Sequence, residues 1–274
     1  MAGSPALPDA EAIYVRDGAH VVPTERARGP WDPRAQHGGA PAALLASVLE
    51  RLPVPGAASA PLRVARLTVE LLRPVPLAPL AVSASVLRPG RRVALVEAEL
   101  ADAAGPVARA TALRIRRAEG AVPEVAPAGA TPAASRPGPQ AAAGPPGAEA
   151  PTFGSDGMEI RFAAGAFEHP GPAVAWMRLR VPLVAGEHTS PFARAAAVAD
   201  FGNGISAALP WAQYVFINPD LTVYLDREPA GEWLAIASET TVRADGTGRT
   251  DSVLSDGDGP VGRATQALYV ARRD

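Results

Sequence analysis

Leu67-Thr68-Val69-Glu70-Leu71-Leu72-Arg73 is written a second time, with few changes, as Leu221-Thr222-Val223-Tyr224-Leu225-Asp226-Arg227. Another block, Gly105-Pro106-Val107-Ala108-Arg109-Ala110-Thr111, returns as Gly259-Pro260-Val261-Gly262-Arg263-Ala264-Thr265. Both blocks are displaced by the same 154 residues, and chance matches would not share an offset. Solenoid repeats run about 20–50 residues, so a period this long means two copies of a whole domain. Two copies in one frame make the positions where they differ readable.

The 274 residues fit one large domain or two ordinary ones, and the repeat decides for two. A hydrophobic fraction of 47% is enough to bury a core. The net charge of −2 and pI near 6.1 give no electrostatic reason for a nucleic-acid partner. Without cysteine the chain forms no disulfides and runs no thiolate chemistry. It also lacks lysine, so every basic side chain is arginine. The stretch Met1–Ile13 contains Asp9 and Glu11 and no apolar run, unlike a signal peptide. No segment approaches the roughly 18 uninterrupted apolar residues of a membrane span. The expectation is a cytoplasmic protein with no membrane partner.

Residues 118–157 are rich in Ala, Pro and Gly, and Ala126–Pro151 is too poor in large apolar side chains to fold alone. This places an N-terminal unit at 1–117, a linker at 118–157 and a C-terminal unit at 158–274. In the first unit a short strand over Ile13–Val22 precedes a helix over Gly39–Leu52, stopped by Pro53 and Pro55. Strands over Arg63–Leu72, Leu80–Arg88, Arg91–Ala101 and Val107–Arg116 follow, with turns at Arg88-Pro89-Gly90 and Ala104-Gly105-Pro106. The second unit keeps the order. Strands over Met158–Phe167 and Ala175–Val184 precede a helix over Ser190–Asp200. Strands over Tyr214–Leu225, Glu232–Arg243, Arg249–Leu254 and Val261–Ala271 complete it. The fold class is α+β, each unit a helix wrapped by an antiparallel sheet. One helix covers only part of such a sheet, so the two units are expected to pair, and fusion makes that pairing intramolecular.

Extended beyond the matched blocks, the offset sets Asp200 opposite Ala46, Asn218 opposite Val64 and Gln266 opposite Ala112. Three polar residues of the second copy stand where the first has apolar ones. In the other direction, His37-Gly38-Gly39 opens the first helix, whereas the second copy has Pro191-Phe192-Ala193. A glycine-rich helix start leaves backbone N–H groups open to a ligand at the positive end of the dipole. Of two pseudo-equivalent sites, one is kept and one is lost.

Each candidate also has a plainer role. Asp200 precedes Phe201-Gly202-Asn203-Gly204 and suits the turn that ends a helix. Asn218-Pro219-Asp220 is a turn initiator. Gln266 alternates with Ala264 and Leu268 on one strand face and, if buried, must satisfy its amide. His37 suits a helix start. Asp256-Gly257-Asp258-Gly259 reads as a hairpin turn, since the other ligands of a calcium loop are missing. No nucleophile elbow, dinucleotide fingerprint or P-loop is present, and His20, His37, His169 and His188 have no metal-ligand spacing.

His37-Gly38-Gly39-Ala40-Pro41-Ala42-Ala43-Leu44, Leu67 to Pro74 and Arg88-Pro89-Gly90-Arg91-Arg92 resemble the N-terminal half of double-hotdog acyl-CoA thioesterases. Phe216-Ile217-Asn218-Pro219-Asp220-Leu221-Thr222, Glu232-Trp233 and Gln266 resemble their C-terminal half, of the bacterial thioesterase II type. The resemblance implies two fused hotdog units and hydrolysis of acyl-CoA to acid and CoA, with no cofactor and no metal. It carries a water-holding set onto Asp200, Asn218 and Gln266, with Asn at a position where the family has Thr. The glycine-rich helix start adds expected oxyanion or substrate contacts at Gly39, Gly38 and His37. Acyl-CoA is the expected partner, with acyl-carrier protein as the other carrier; the oligomeric state stays open, with a homo-oligomer (dimer) one candidate. Two alternatives stay open: a silent acyl-binding protein, and a hydratase or dehydratase. The last would join an Asp and a His in one site, and the sequence shows no partner for His37 or His188.

Overall fold

In the computed structural model, residues 8, 10–56, 61–123, 125 and 151–273 are described. The tether expected over Ala126–Pro151 lies outside the described residues except for Pro151. The first unit contains β1 (Tyr14–Asp17), β2 (His20–Pro23), α1 (Gly39–Arg51), β3 (Leu62–Leu71), β4 (Leu80–Arg88), β5 (Val93–Asp102) and β6 (Gly105–Arg116). The second contains β7 (Met158–Ala166), β8 (His169–Leu179), α2 (Pro191–Ala199), α3 (Gly202–Ile205), β9 (Tyr214–Ile217), β10 (Asp220–Leu225), β11 (Leu234–Val242), β12 (Thr247–Asp256) and β13 (Gly259–Arg272).

The strands form one antiparallel sheet in the order β1-β2-β4-β5-β6-β3-β10-β13-β12-β11-β8-β7, with β9 also on β13. Its centre is the repeated heptapeptide. β3 pairs with β10 so that Thr68 faces Thr222, its own counterpart one period later, and the two hydroxyls lie 3.3 Å apart. That register is what a local two-fold axis between the units requires. The expected pairing is therefore a continuous sheet, with the apolar face of each unit closed over α1 and α2 in a single core.

Four local features depart from simple alternation. The strand expected over Ile13–Val22 is a hairpin, turning at Gly18 with φ +58°, a conformation glycine adopts without Cβ strain. The strand expected over Ala175–Val184 starts at His169 and stops at Leu179, after which Pro182 and Leu183 accept from the amides of Ile13 and Tyr14. Tyr214–Leu225 is split into β9 and β10 by Asn218-Pro219, because proline offers no N–H to the ladder. Near the end of the linker span, Phe153–Gly157 form one turn of π-helix capped by Thr152, and Phe153 is fully buried. Packing of the second unit thus begins ahead of Met158.

Candidate active site

α1 and α2 run antiparallel across the middle of the molecule. Arg51, at the end of α1, bonds Glu187 and the His188 carbonyl just before α2. The start of α1 meets the end of α2, and glycine makes that approach possible. A Cβ on Gly39 would lie 2.8 Å from the Ala197 carbonyl oxygen; one on Gly38 would lie 2.8 Å from Asp200 Oδ2. Real Cβ atoms do not come this close, so the Gly38-Gly39 pair lets the first unit reach the carboxylate of the second. α2 starts on Ser190, whose hydroxyl accepts from the Ala193 amide, and ends at Asp200.

Asp200 is 3% exposed and Gln266 1%. Asn218 Nδ2 donates to Asp200 Oδ1 at 2.8 Å, and Gln266 Nε2 donates to the same oxygen at a longer 3.3 Å. The Gln266 amide cannot turn over freely, because its Oε1 accepts the Asn203 N–H at 3.2 Å while its Nε2 also reaches the Asp200 carbonyl. The β9–β10 break aims Asn218. β13 pairs with β10 as far as Thr265 and with β9 from Tyr269 onward. Across the gap, Asp220 accepts the Ala267 N–H at 2.7 Å, and the kinked Asn218 side chain turns inward to Asp200. The first unit carries only a bulge between Val64 and Arg66 at the matching place.

His37 lies 3.1 Å from Asp200 Oδ2 through Nδ1, and the same nitrogen accepts the Gly39 N–H at 3.0 Å. One ring nitrogen plays one role at a time. It offers its lone pair to Gly39, or a proton to Asp200. The imidazole is stacked on Phe201 with centroids 4.4 Å apart and lies 5.2 Å from Phe153. The fold therefore gives His37 the carboxylate partner that sequence reading did not find.

All six candidates, His37, Gly38, Gly39, Asp200, Asn218 and Gln266, converge at the junction of the two units. Sequence reading missed Asn203, whose backbone N–H orients Gln266 and whose side chain anchors it on the Phe216 carbonyl, and Phe153, which backs His37. The repeat carries a signal for Asn203, since its counterpart is the apolar Leu49. Among the described residues no group of three or more His, Cys, Asp or Glu could hold a metal ion, and no helix is long and apolar enough to cross a membrane.

Residues 27–115 match the family described as acyl-CoA thioesterase N-terminal domain, and residues 127–270 match the acyl-CoA thioesterase C-terminal domain. The chain belongs to the acyl-CoA thioesterase family. No curated protein matches the sequence. Among solved structures, a candidate thioesterase II from Thermobifida fusca YX superposes with a TM-score of 0.72 at 20% identity, covering 98% of this chain and 99% of that one. A hot dog fold protein of unknown function from Alicyclobacillus acidocaldarius gives 0.66 at 18%, covering 97% and 98%. The acyl-CoA thioesterase II TesB2 from Mycobacterium marinum gives 0.62 at 14%, covering 91% and 97%. At such identities these likenesses establish the double-hotdog fold, and the family rests on the domain matches.

Proposed function

We propose that this acyl-CoA thioesterase family member hydrolyses acyl-CoA to free acid and CoA, with Asp200 as general base. The observation that carries the reading is the Asp200 carboxylate: buried, held by Asn218 and Gln266, and facing the Gly38-Gly39 helix start. A water held by Asn218 and Gln266 gives its proton to Asp200 as its oxygen attacks the thioester carbonyl. The developing oxyanion takes the Gly39 N–H in place of His37 Nδ1, at the positive end of the α1 dipole. Collapse breaks the C–S bond, and the departing CoA sulfur takes the proton from Asp200. His37, Gly38 and Asn218, the partly exposed members of the set, mark the side from which the thioester enters. Acyl-carrier protein is the alternative carrier.

Thiol release from acyl-CoAs of graded chain length tests this directly. Turnover at one or more lengths supports the reading; binding without thiol release at any length would make the chain a silent acyl-binding protein. The apposition of His37 and Asp200 favours a second reading, hydration of an unsaturated acyl thioester. Loss of enoyl-thioester absorbance without thiol release would establish that instead.

A further inference from the structure

The repeat register holds over β10 to β13 of the second unit. β11 (Leu234–Val242) falls on β4 (Leu80–Arg88), and β12 (Thr247–Asp256) falls on β5 (Val93–Asp102), residue for residue. Positions beyond the site can then be compared one by one. Ser238 and Thr240 on β11 stand where the first unit has Ala84 and Val86. Thr250 and Ser252 on β12 replace Val96 and Ala98. Asn203 and Ser206 on and beside α3 replace Leu49 and Leu52. Six further apolar positions of the first unit are thus polar in the second, and five of those six side chains are buried. Hydroxyls in a core cost free energy unless they bond one another.

They do bond one another. Ser238 and Ser252 hydroxyls lie 2.8 Å apart, Thr250 and Thr240 lie 2.7 Å apart, and Thr240 and Ser206 lie 2.8 Å apart. Ser206 Oγ donates to the Gly202 carbonyl at 2.8 Å. A hydroxyl has one proton, so this last bond fixes the direction of the rest. Ser206 must accept from Thr240, and Thr240 must accept from Thr250. The chain runs one way, from Thr250 through Thr240 and Ser206 to the carbonyl of the first residue of α3. Gly202 is seated directly on the ladder: a Cβ there would lie 2.7 Å from Ser252 Oγ and 3.0 Å from Gln266 Oε1. Asn203 adds a second anchor, donating from Nδ2 to the Phe216 carbonyl at 3.2 Å.

We infer that Thr250, Thr240, Ser206 and Asn203 are positioning residues that set the orientation of the Gln266 amide. The ladder pins α3 to β11 and β12. The pinned helix presents the Asn203 N–H to Gln266 Oε1, and this leaves Gln266 Nε2 facing Asp200. Released from the ladder, α3 would withdraw that N–H, and the amide could place its oxygen against the carboxylate. The first unit has no amide to orient, since its counterpart of Gln266 is Ala112, and its matching positions are apolar.

This inference rests on the role proposed for Asp200 and Gln266. Its test is Thr250→Val, which keeps shape and removes the hydroxyl, with Thr250→Ser as rescue and Gln266→Ala as the ceiling. Steady-state thiol release and thermal unfolding are measured on each full-length variant. Thr250→Val is expected to lower kcat about 10-fold with KM within about two-fold, and Thr250→Ser to recover most of it. The double variant Thr250→Val/Gln266→Ala should be no worse than Gln266→Ala alone, because the ladder acts through that amide. Wild-type kcat in Thr250→Val, or losses that multiply in the double variant, would overturn the inference while leaving the Asp200 reading in place. Should Thr250→Val fail to fold, Ser206→Ala carries the same expectation and the same contrary outcome. Full activity in Gln266→Ala would instead contradict the proposed site itself.

Discussion

The two ends of the α1–α2 pair are related by the repeat and hold opposite contents. At one end Gly38 leaves room for the Asp200 carboxylate, with Asn218 and Gln266 around it. At the other, Phe192 occupies the position matching Gly38, and Ala46, Val64 and Ala112 occupy those matching Asp200, Asn218 and Gln266. All four are buried, and what remains is a cavity of about 160 Å³ lined by Phe192, Val64, Leu62, Glu50 and neighbouring arginines. The lost site is thus a reference state for the kept one. It shows what these positions become when only packing selects them. Every polar group found at the kept end alone therefore asks for a reason other than stability, because an unsatisfied one would cost about 1–3 kcal/mol.

Variants that move one end toward the other test this contrast. Asp200→Asn keeps the volume and removes the base, and is expected to lower turnover about 10²–10⁴-fold with the fold intact by circular dichroism. Gly38→Ala takes one step toward the Phe192 arrangement. Its Cβ would meet both Asp200 oxygens and Leu71 Cδ1, at 2.8 to 3.0 Å, and the displaced carboxylate should cost about 10²-fold in kcat. Gln266→Ala copies Ala112 and should cost less, about 10-fold, because the amide orients the water and takes no proton. Single-turnover thiol release separates these from effects on product release.

A pair outside the site shows what selection for stability alone looks like. Arg73–Asp102 and Arg227–Asp256 occupy matched positions in the two units. Burial pushes the Asp256 carboxyl up, but the Arg227 guanidinium and the Ala230 and Asp258 amides together hold it below the usual carboxylate value. At Asp102 the Arg73 guanidinium does the same at a more exposed position. Because both folded values are depressed, both contributions are present above about pH 4 and are lost as pH falls through the folded values. Asp256→Asn should cost about 2–3 kcal/mol at pH 7, more than Asp102→Asn. In denaturant titrations its deficit against wild type should shrink as pH is lowered below 4. Both variants should keep kcat.

The repeat made much of this legible before any coordinates. It placed Asp200, Asn218 and Gln266 together, since polar residues replacing apolar ones in a shared frame stand out without any knowledge of contacts. It anticipated the pairing of units that the Thr68–Thr222 register now specifies, while α1 was legible from its own Ala/Leu-rich run and the prolines that stop it. What stayed hidden was long-range or local to one copy. The apposition of His37 and Asp200 depends on antiparallel packing of helices from different units. The split of β9 from β10 depends on Pro219, which alternation alone absorbs into one strand. The hydroxyl ladder was present in the same alignment, but Ser and Thr on strands read as ordinary surface residues until burial is known. Phe153 sits beside a composition-biased stretch and reads as part of the tether until it is seen behind His37.

The smallest expected effect is the most informative when set beside the largest. Ala46→Ser and Ala112→Ser add hydroxyls at the lost site and should leave turnover within a few-fold, since the counterparts of Asp200, Asn218 and Gln266 there are all apolar. Steady-state acyl-CoA hydrolysis by Asp200→Asn and Ala46→Ser, each checked for folding, therefore tests the division into one working and one lost site. The account expects about a 10²–10⁴-fold loss in Asp200→Asn and near-wild-type turnover in Ala46→Ser. Full activity in Asp200→Asn, or a comparable collapse in Ala46→Ser, would contradict it.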